Sequence, residues 1–127
     1  MQKGTAEKSQ RPPVIMVLED EFLIALQLET WLKSSGFLPL GPVPTVSAAE
    51  DLLDIVERPD AAVLDINLRG RSVLPIAEEL EARRVPYIFV TGYDRAVLPM
   101  KFRDAPLLTK PVDMDKLISF VRLLIAA

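Results

Sequence analysis

The sequence has no cysteine and no histidine in its 127 residues. Without cysteine there is no disulfide, no thiolate metal site and no sulfur nucleophile. Without histidine there is no imidazole base, no imidazole metal ligand and no Ser-His-Asp triad. Long apolar runs are missing too, none reaching the roughly 18 residues that a membrane-spanning helix requires. Residues 1–11 are polar and lack the apolar core of a secretory signal. Neither sign of charge dominates: 15 Lys and Arg stand against 18 Asp and Glu, a net charge of -3. A general nucleic-acid surface needs clustered positive charge instead. The expectation is a protein of the reduced cytoplasm that binds neither nucleic acid nor membrane. Its chemistry must rest on carboxylates, lysines, hydroxyls and backbone.

The composition that remains is globular, with 50% hydrophobic and 26% charged residues. The length suits one domain with a real core. A loose tail is expected over 1–11 and a single domain over 12–127. Val14 to Leu18 is a short unbroken apolar run, suited to a strand buried on both faces. It stops at Glu19-Asp20-Glu21, and helical spacing follows through Phe22, Ala25, Leu26 and Leu32 up to Gly36. Phe37 to Val43 is interrupted by Pro39 and Pro42 and reads as an edge strand. A helix capped by Thr45 or Ser47 carries Val46, Ala49, Leu52, Leu53 and Val56 at intervals of three and four.

Ala61 to Leu64 is a second buried strand, stopping at Asp65. The helix after it holds Val73, Ile76, Ala77 and Leu80, with Pro75 tolerable in its first turn. Pro86 to Val90 is a strand ending at Thr91-Gly92, and Asp94 to Met100 suits a short helix cut by Pro99. Leu107-Leu108 is a brief strand before Thr109-Lys110-Pro111, and Asp113 caps a last amphipathic helix. Strands alternating with helices predict an α/β fold, a doubly wound five-stranded parallel sheet of flavodoxin-like (βα)5 type.

In such a sheet ligands bind beyond the carboxyl ends of the strands. Those ends carry Glu19, Asp20 and Glu21, then Asp65 with Asn67, then Thr91 and Gly92, then Lys110. Taken singly, an acid there is a helix cap and a lysine is a solvated charge. Taken together, carboxylates at about 4 Å repel by roughly 4 kcal/mol per pair at an effective dielectric near 20. A cation or ammonium must neutralise them. Oxygen ligands without nitrogen or sulfur suit Mg2+, and Mg2+ suits phosphoryl chemistry.

The ordered set Glu19-Asp20, Asp65, Thr91 and Lys110-Pro111 resembles the CheY-like receiver domains of two-component response regulators, over residues 12 to 127. The resemblance implies that Asp65 accepts a phosphoryl group from a sensor histidine kinase or a phosphotransfer protein. It makes Glu19 and Asp20 the Mg2+-holding acids and has Asn67 offer its backbone carbonyl to the metal. Thr91 would follow the phosphoryl group, Lys110 would pair with it, and a cis Lys110–Pro111 peptide would aim the ammonium. It implies a signalling domain rather than an enzyme, with phosphotransfer and slow self-dephosphorylation as its only chemistry. A receiver-like adaptor that signals without phosphorylation is the alternative. A phosphohydrolase would want a second Asp where Asn67 stands.

Some positions depart from the family pattern. Leu107 stands where an aromatic residue is usual, Arg69-Gly70 where Met-Pro is frequent, and Val73 where Gly is common. Thr91 and Lys110 are only 19 residues apart. Tyr93 is the nearest aromatic after Thr91, and Phe89-Val90-Thr91-Gly92-Tyr93 resembles the "FAT GUY" motif of mostly single-domain receivers. The switch is therefore expected between Thr91 and Lys110, with Tyr93 as the candidate ring.

Overall fold

The computed structural model describes residues 11–92 and 98–126. Of the tail expected over 1–11, all but Arg11 lies outside them, as does Tyr93. In chain order the elements are β1 (Val14–Leu18), α1 (Phe22–Ser34), β2 (Leu38–Val43), α2 (Val46–Ile55) and β3 (Ala61–Asp65). A small hairpin follows, β4 (Asn67–Leu68) and β5 (Arg71–Ser72), then α3 (Leu74–Ala82) and β6 (Tyr87–Thr91). The described residues finish with a 3-10 turn at Met100–Phe102, β7 (Leu107–Thr109) and α4 (Met114–Ala126).

The main sheet has the order β2-β1-β3-β6-β7, and every neighbouring pair is parallel. This is the doubly wound arrangement the alternation predicts. The apolar strands are buried from both sides because their residues alternate between two cores. Met16, Leu18, Ala62, Leu64 and Phe89 face α2 and α3 through Val46, Ala49, Leu53, Ile76, Ala77 and Leu80. Ile15, Val17, Ala61, Val63, Ile88 and Val90 face α1 and α4 through Leu28, Leu32, Leu117, Ile118 and Val121. Burying each large side chain contributes about 1.5–3 kcal/mol, so every strand is pinned twice. No described helix is long and apolar enough to cross a membrane.

Local chemistry sets the helix ends. Thr45 Oγ1 accepts the Ala48 N–H at 3.1 Å, which opens α2. Asp113 Oδ1 accepts the N–H groups of Asp115 and Lys116 and opens α4. Pro75 sits in the first turn of α3, where a missing N–H costs nothing. Two arginines tie the far ends of α2 and α3 together. Arg83 donates to the carbonyls of Leu53 and Glu57, and Arg58 donates to those of Arg83 and Arg84.

Three features differ from the sequence reading. The expected helix from Asp94 to Met100 is not formed at Leu98 and Pro99; the described helical turn begins at Met100 and is 3-10. Pro99 cannot donate within a helix and restrains the residue before it. The β4–β5 hairpin is new, turning through Arg69 and Gly70 at φ 51° and 82°. Finally, β2 bends at Gly41, whose φ is +101°. A Cβ there would lie 2.8 Å from the Val17 carbonyl and 2.9 Å from the Val43 N–H nitrogen. Only glycine lets β2 close onto β1 there, and the closure puts the Val43 carbonyl 3.0 Å from the Glu19 N–H nitrogen.

Candidate functional site

The strand ends converge as the topology requires. Glu19, Asp20 and Glu21 follow β1, Asp65 closes β3, Thr91 closes β6 and Lys110 follows β7. A cavity of about 350 Å³ opens between them, lined by Asp20, Glu21, Asp65, Asn67, Arg69, Gly70, Gly92 and Lys110.

Lys110 is the hub. Its Nζ donates to Glu21 Oε1 at 2.8 Å, to Asp65 Oδ2 at 3.1 Å and to Glu19 Oε2 at 3.3 Å. An ammonium has three N–H groups, and three carboxylates use them. Burial works against its charge, but the bonds to Glu21 and Asp65 and the charges of Asp65 and Glu19 outweigh that, so its pKa is raised. The Lys110–Pro111 peptide is cis, and the Lys110 N–H donates to the Thr91 carbonyl at 2.8 Å.

The acids sit in different settings. Glu19 is 2% exposed, and among the described residues its Oε1 has no hydrogen-bond partner. Burial pushes its pKa up to about 7, against the Glu21 N–H that its Oε2 accepts, and the charge of Asp65 adds to the rise. Asp65 is 6% exposed, and its Oδ1 accepts the Asn67 N–H at 3.3 Å. Asp20 Oδ2 accepts the Arg69 N–H at 2.9 Å, which ties the hairpin turn to the rim. Carboxylate oxygens of Glu19, Asp20, Glu21 and Asp65 lie within 4.8 Å of one another. Glu19 Oε1 lies 3.2 Å from Lys110 Nζ as an ion pair, and the four hard oxygen donors together fit a small divalent cation and no soft metal.

Thr91 is buried and is brought beside Lys110 through the backbone, while its neighbour Gly92 lines the cavity. Leu107 is half-buried, paired with Phe89 across β6 and β7, and packs against the core. Sequence reasoning placed Glu21 at the rim without a role. The structure makes it the closest carboxylate to the Lys110 ammonium.

No profile of a known protein family matches the chain. Solved structures do. The solution structure of SdrG from Sphingomonas melonis Fr1 is 38% identical, with a TM-score of 0.75 over 91% of this chain and 98% of that one. A response regulator receiver protein from Sinorhizobium medicae shares the fold, with a TM-score of 0.79 over 92% of this chain and 97% of that one, at 23% identity. The chain belongs to the response-regulator receiver domains.

As a receiver domain it is a signalling module of two-component systems. A second structure of SdrG, described as its BeF3-activated conformation, is 40% identical over 88% of this receiver and 95% of that chain, with a TM-score of 0.74. Among curated proteins, the phyllosphere-induced regulator PhyR of Methylorubrum extorquens is 33% identical over 76% of this receiver and 38% of its own length. The transcriptional regulatory protein PdtaR of Mycobacterium tuberculosis is 26% identical over 91% of the receiver and 58% of its own length. The receiver thus spans less than two thirds of these curated relatives.

Proposed function

We propose that this receiver takes a phosphoryl group on Asp65 from a phosphohistidine donor, a sensor histidine kinase or a phosphotransfer protein, in the cytoplasm. One observation carries the reading: Asp65 is a buried carboxylate that opens onto a cavity and is bonded at 3.1 Å to a lysine ammonium. An Asp65 carboxylate oxygen attacks phosphorus, the P–N bond of the donor breaks, and the imidazole leaves with the electron pair. The product is an aspartyl phosphate whose equatorial oxygens carry charge. Lys110, already aimed at Asp65, stabilises that charge. Asp20, Asp65 and the Asn67 carbonyl would hold Mg2+, with Glu19 behind them. Bound there, the ion would neutralise the acids and offset charge on the transferring group. Exposed Phe22, Leu23 and Leu26 on α1 begin one residue past Glu21 and offer a donor protein an apolar footing beside the cavity.

The signal then leaves through the crossover between Thr91 and Lys110. Phosphorylation adds charge and acceptor oxygens at the rim, and the Thr91 hydroxyl follows them. Leu107 has no ring to rotate, so the crossover itself is the two-state element.

Asp65→Asn preserves shape and removes the nucleophile. Phosphoryl transfer from a labelled kinase panel with Mg2+ is expected to fall below detection in this variant. Amide exchange with Mg2+ and beryllofluoride is expected to change protection across residues 98–106 in the parent and not in Asp65→Asn. Equal labelling of both proteins would sink the assignment, and a parent that no donor labels would favour the phosphorylation-independent adaptor.

A further inference from the structure

Glu21 occupies the position before α1, where a short polar side chain ordinarily caps the helix. Its side chain makes no capping bond there. It turns to Lys110 instead, forming the shortest of the lysine's three carboxylate contacts at 2.8 Å. The three partners differ in how firmly they are held. The Glu19 side chain is fully buried and that of Asp65 nearly so, whereas that of Glu21 is 60% exposed at the mouth of the cavity. Phosphorylation replaces the single charge of the Asp65 carboxylate with a phosphoryl group that carries more charge and several acceptor oxygens, all directed at the same ammonium. Of the two other acids that hold it, Glu19 is buried, and only Glu21 can withdraw into water without leaving a buried charge unpaired.

We propose that Glu21 is a positioning residue that stands in for the phosphoryl oxygens. In the resting domain it holds Lys110 over Asp65 from the solvent side. On phosphorylation it gives up the ammonium and swings out. This rests on Asp65 accepting the phosphoryl group. Glu21 sets a threshold: the incoming group must outcompete a carboxylate already in place, and that carboxylate also repels it. Glu21 thereby lowers the affinity of the site for a phosphoryl group while keeping Lys110 aimed.

The test is calorimetric titration of the full chain with beryllofluoride in saturating Mg2+, and with Mg2+ alone. Glu21→Ala is expected to bind beryllofluoride about fivefold more tightly than the parent, the scale of one exposed ion pair. Glu21→Gln keeps the length and an acceptor oxygen and is expected to gain about twofold. Added salt should narrow both gaps, because the competition is between charges at a wet rim. Mg2+ affinity should fall no more than about twofold, the effect of losing one exposed charge near the ion. Equal or weaker beryllofluoride binding in both variants overturns the proposal. A roughly tenfold or larger drop in Mg2+ affinity would make Glu21 a metal ligand and overturn it as well. If Glu21→Ala does not fold, Glu21→Gln alone decides. The underlying reading has its own control. Should the parent bind no beryllofluoride, or Asp65→Asn bind it equally well, both the reading and the role of Glu21 fall. Tight, Asp65-dependent binding with unaltered variants removes Glu21 alone.

Discussion

The two poles of the sheet carry cavities of opposite character. At the amino ends of β6 and β7 a cavity of about 560 Å³ is lined by Glu81, Arg84, Tyr87, Lys101 and apolar neighbours including Leu124. At the carboxyl ends the cavity is smaller, about 350 Å³. In the larger one Glu81 faces both Tyr87 and Lys101. Tyr87 donates its hydroxyl to Glu81, and Lys101 pairs with Glu78 at 3.3 Å and Glu81 at 3.9 Å. In the smaller one three carboxylates share one ammonium, and a buried Glu19 oxygen has no hydrogen-bond partner among the described residues. Volume therefore does not locate the chemistry. The candidate site is marked instead by carboxylates crowded around one ammonium.

The sharpest way to break this comparison is to remove the hub. Lys110→Met leaves Glu19 and Asp65 without a counter-charge in a buried site. The metal-free variant is expected to lose about 3 kcal/mol at pH 8 by urea unfolding, with partial recovery on adding Mg2+. No loss would mean that water already screens the cluster.

Next comes Glu19. Its pKa of about 7 in the folded chain lies above the ordinary 4.5, so the folded state binds this proton more tightly than the unfolded one. Its contribution to stability is full below pH about 4.5 and is lost as the pH rises through about 7. In chelator, stability of the parent is expected to fall by about 2 kcal/mol between pH 5 and pH 8. Glu19→Gln should flatten that slope and exceed the parent at pH 8. Parallel slopes would mean that Lys110 keeps Glu19 ionised throughout.

The smallest effect belongs to the other pole. Burial first, then the bond to Glu81 and its charge, raise the pKa of Tyr87, so the phenol stays protonated. Tyr87→Phe removes one hydrogen bond and is expected to cost about 1 kcal/mol in stability. Beryllofluoride binding should not change. A changed affinity would show that the two poles communicate.

The site was legible in the sequence wherever strand alternation decided position. Asp65 and Lys110 each follow an apolar run, and parallel strands bring such ends to one rim, so their meeting at 3.1 Å needed no side-chain detail. The Asp113 cap was legible locally, the α2 cap only as Thr45 or Ser47, and the doubly wound sheet followed from the alternation of strands and helices. Other features depend on contacts that no local pattern encodes. Glu21 meets Lys110 across 89 residues, and nothing before α1 distinguishes it from a helix-end acid. The β4–β5 hairpin is two residues per strand and turns through Arg69 in the left-handed region, where arginine is a poor signal. Gly41 was hidden between two prolines that already explained an irregular edge strand. Of the helix expected from Asp94 to Met100, Leu98 and Pro99 are not helical and Met100 opens a 3-10 turn, while 94–97 lie outside the described residues.

The paired arginines at the ends of α2 and α3 have a mechanical consequence. Each guanidinium grips carbonyls at a helix end, where the backbone carries partial negative charge. Arg83 leaves α3 to hold the end of α2, and Arg58 returns from beyond α2 to hold the end of α3. The two helices are thereby lashed crosswise, like spars of one raft, and sliding one along the other would break four bonds at once. The raft lies under β3, the strand that presents Asp65, and anchors the far end of the segment that carries the β4–β5 hairpin. Any displacement of β3 toward that flank would have to strain this lashing.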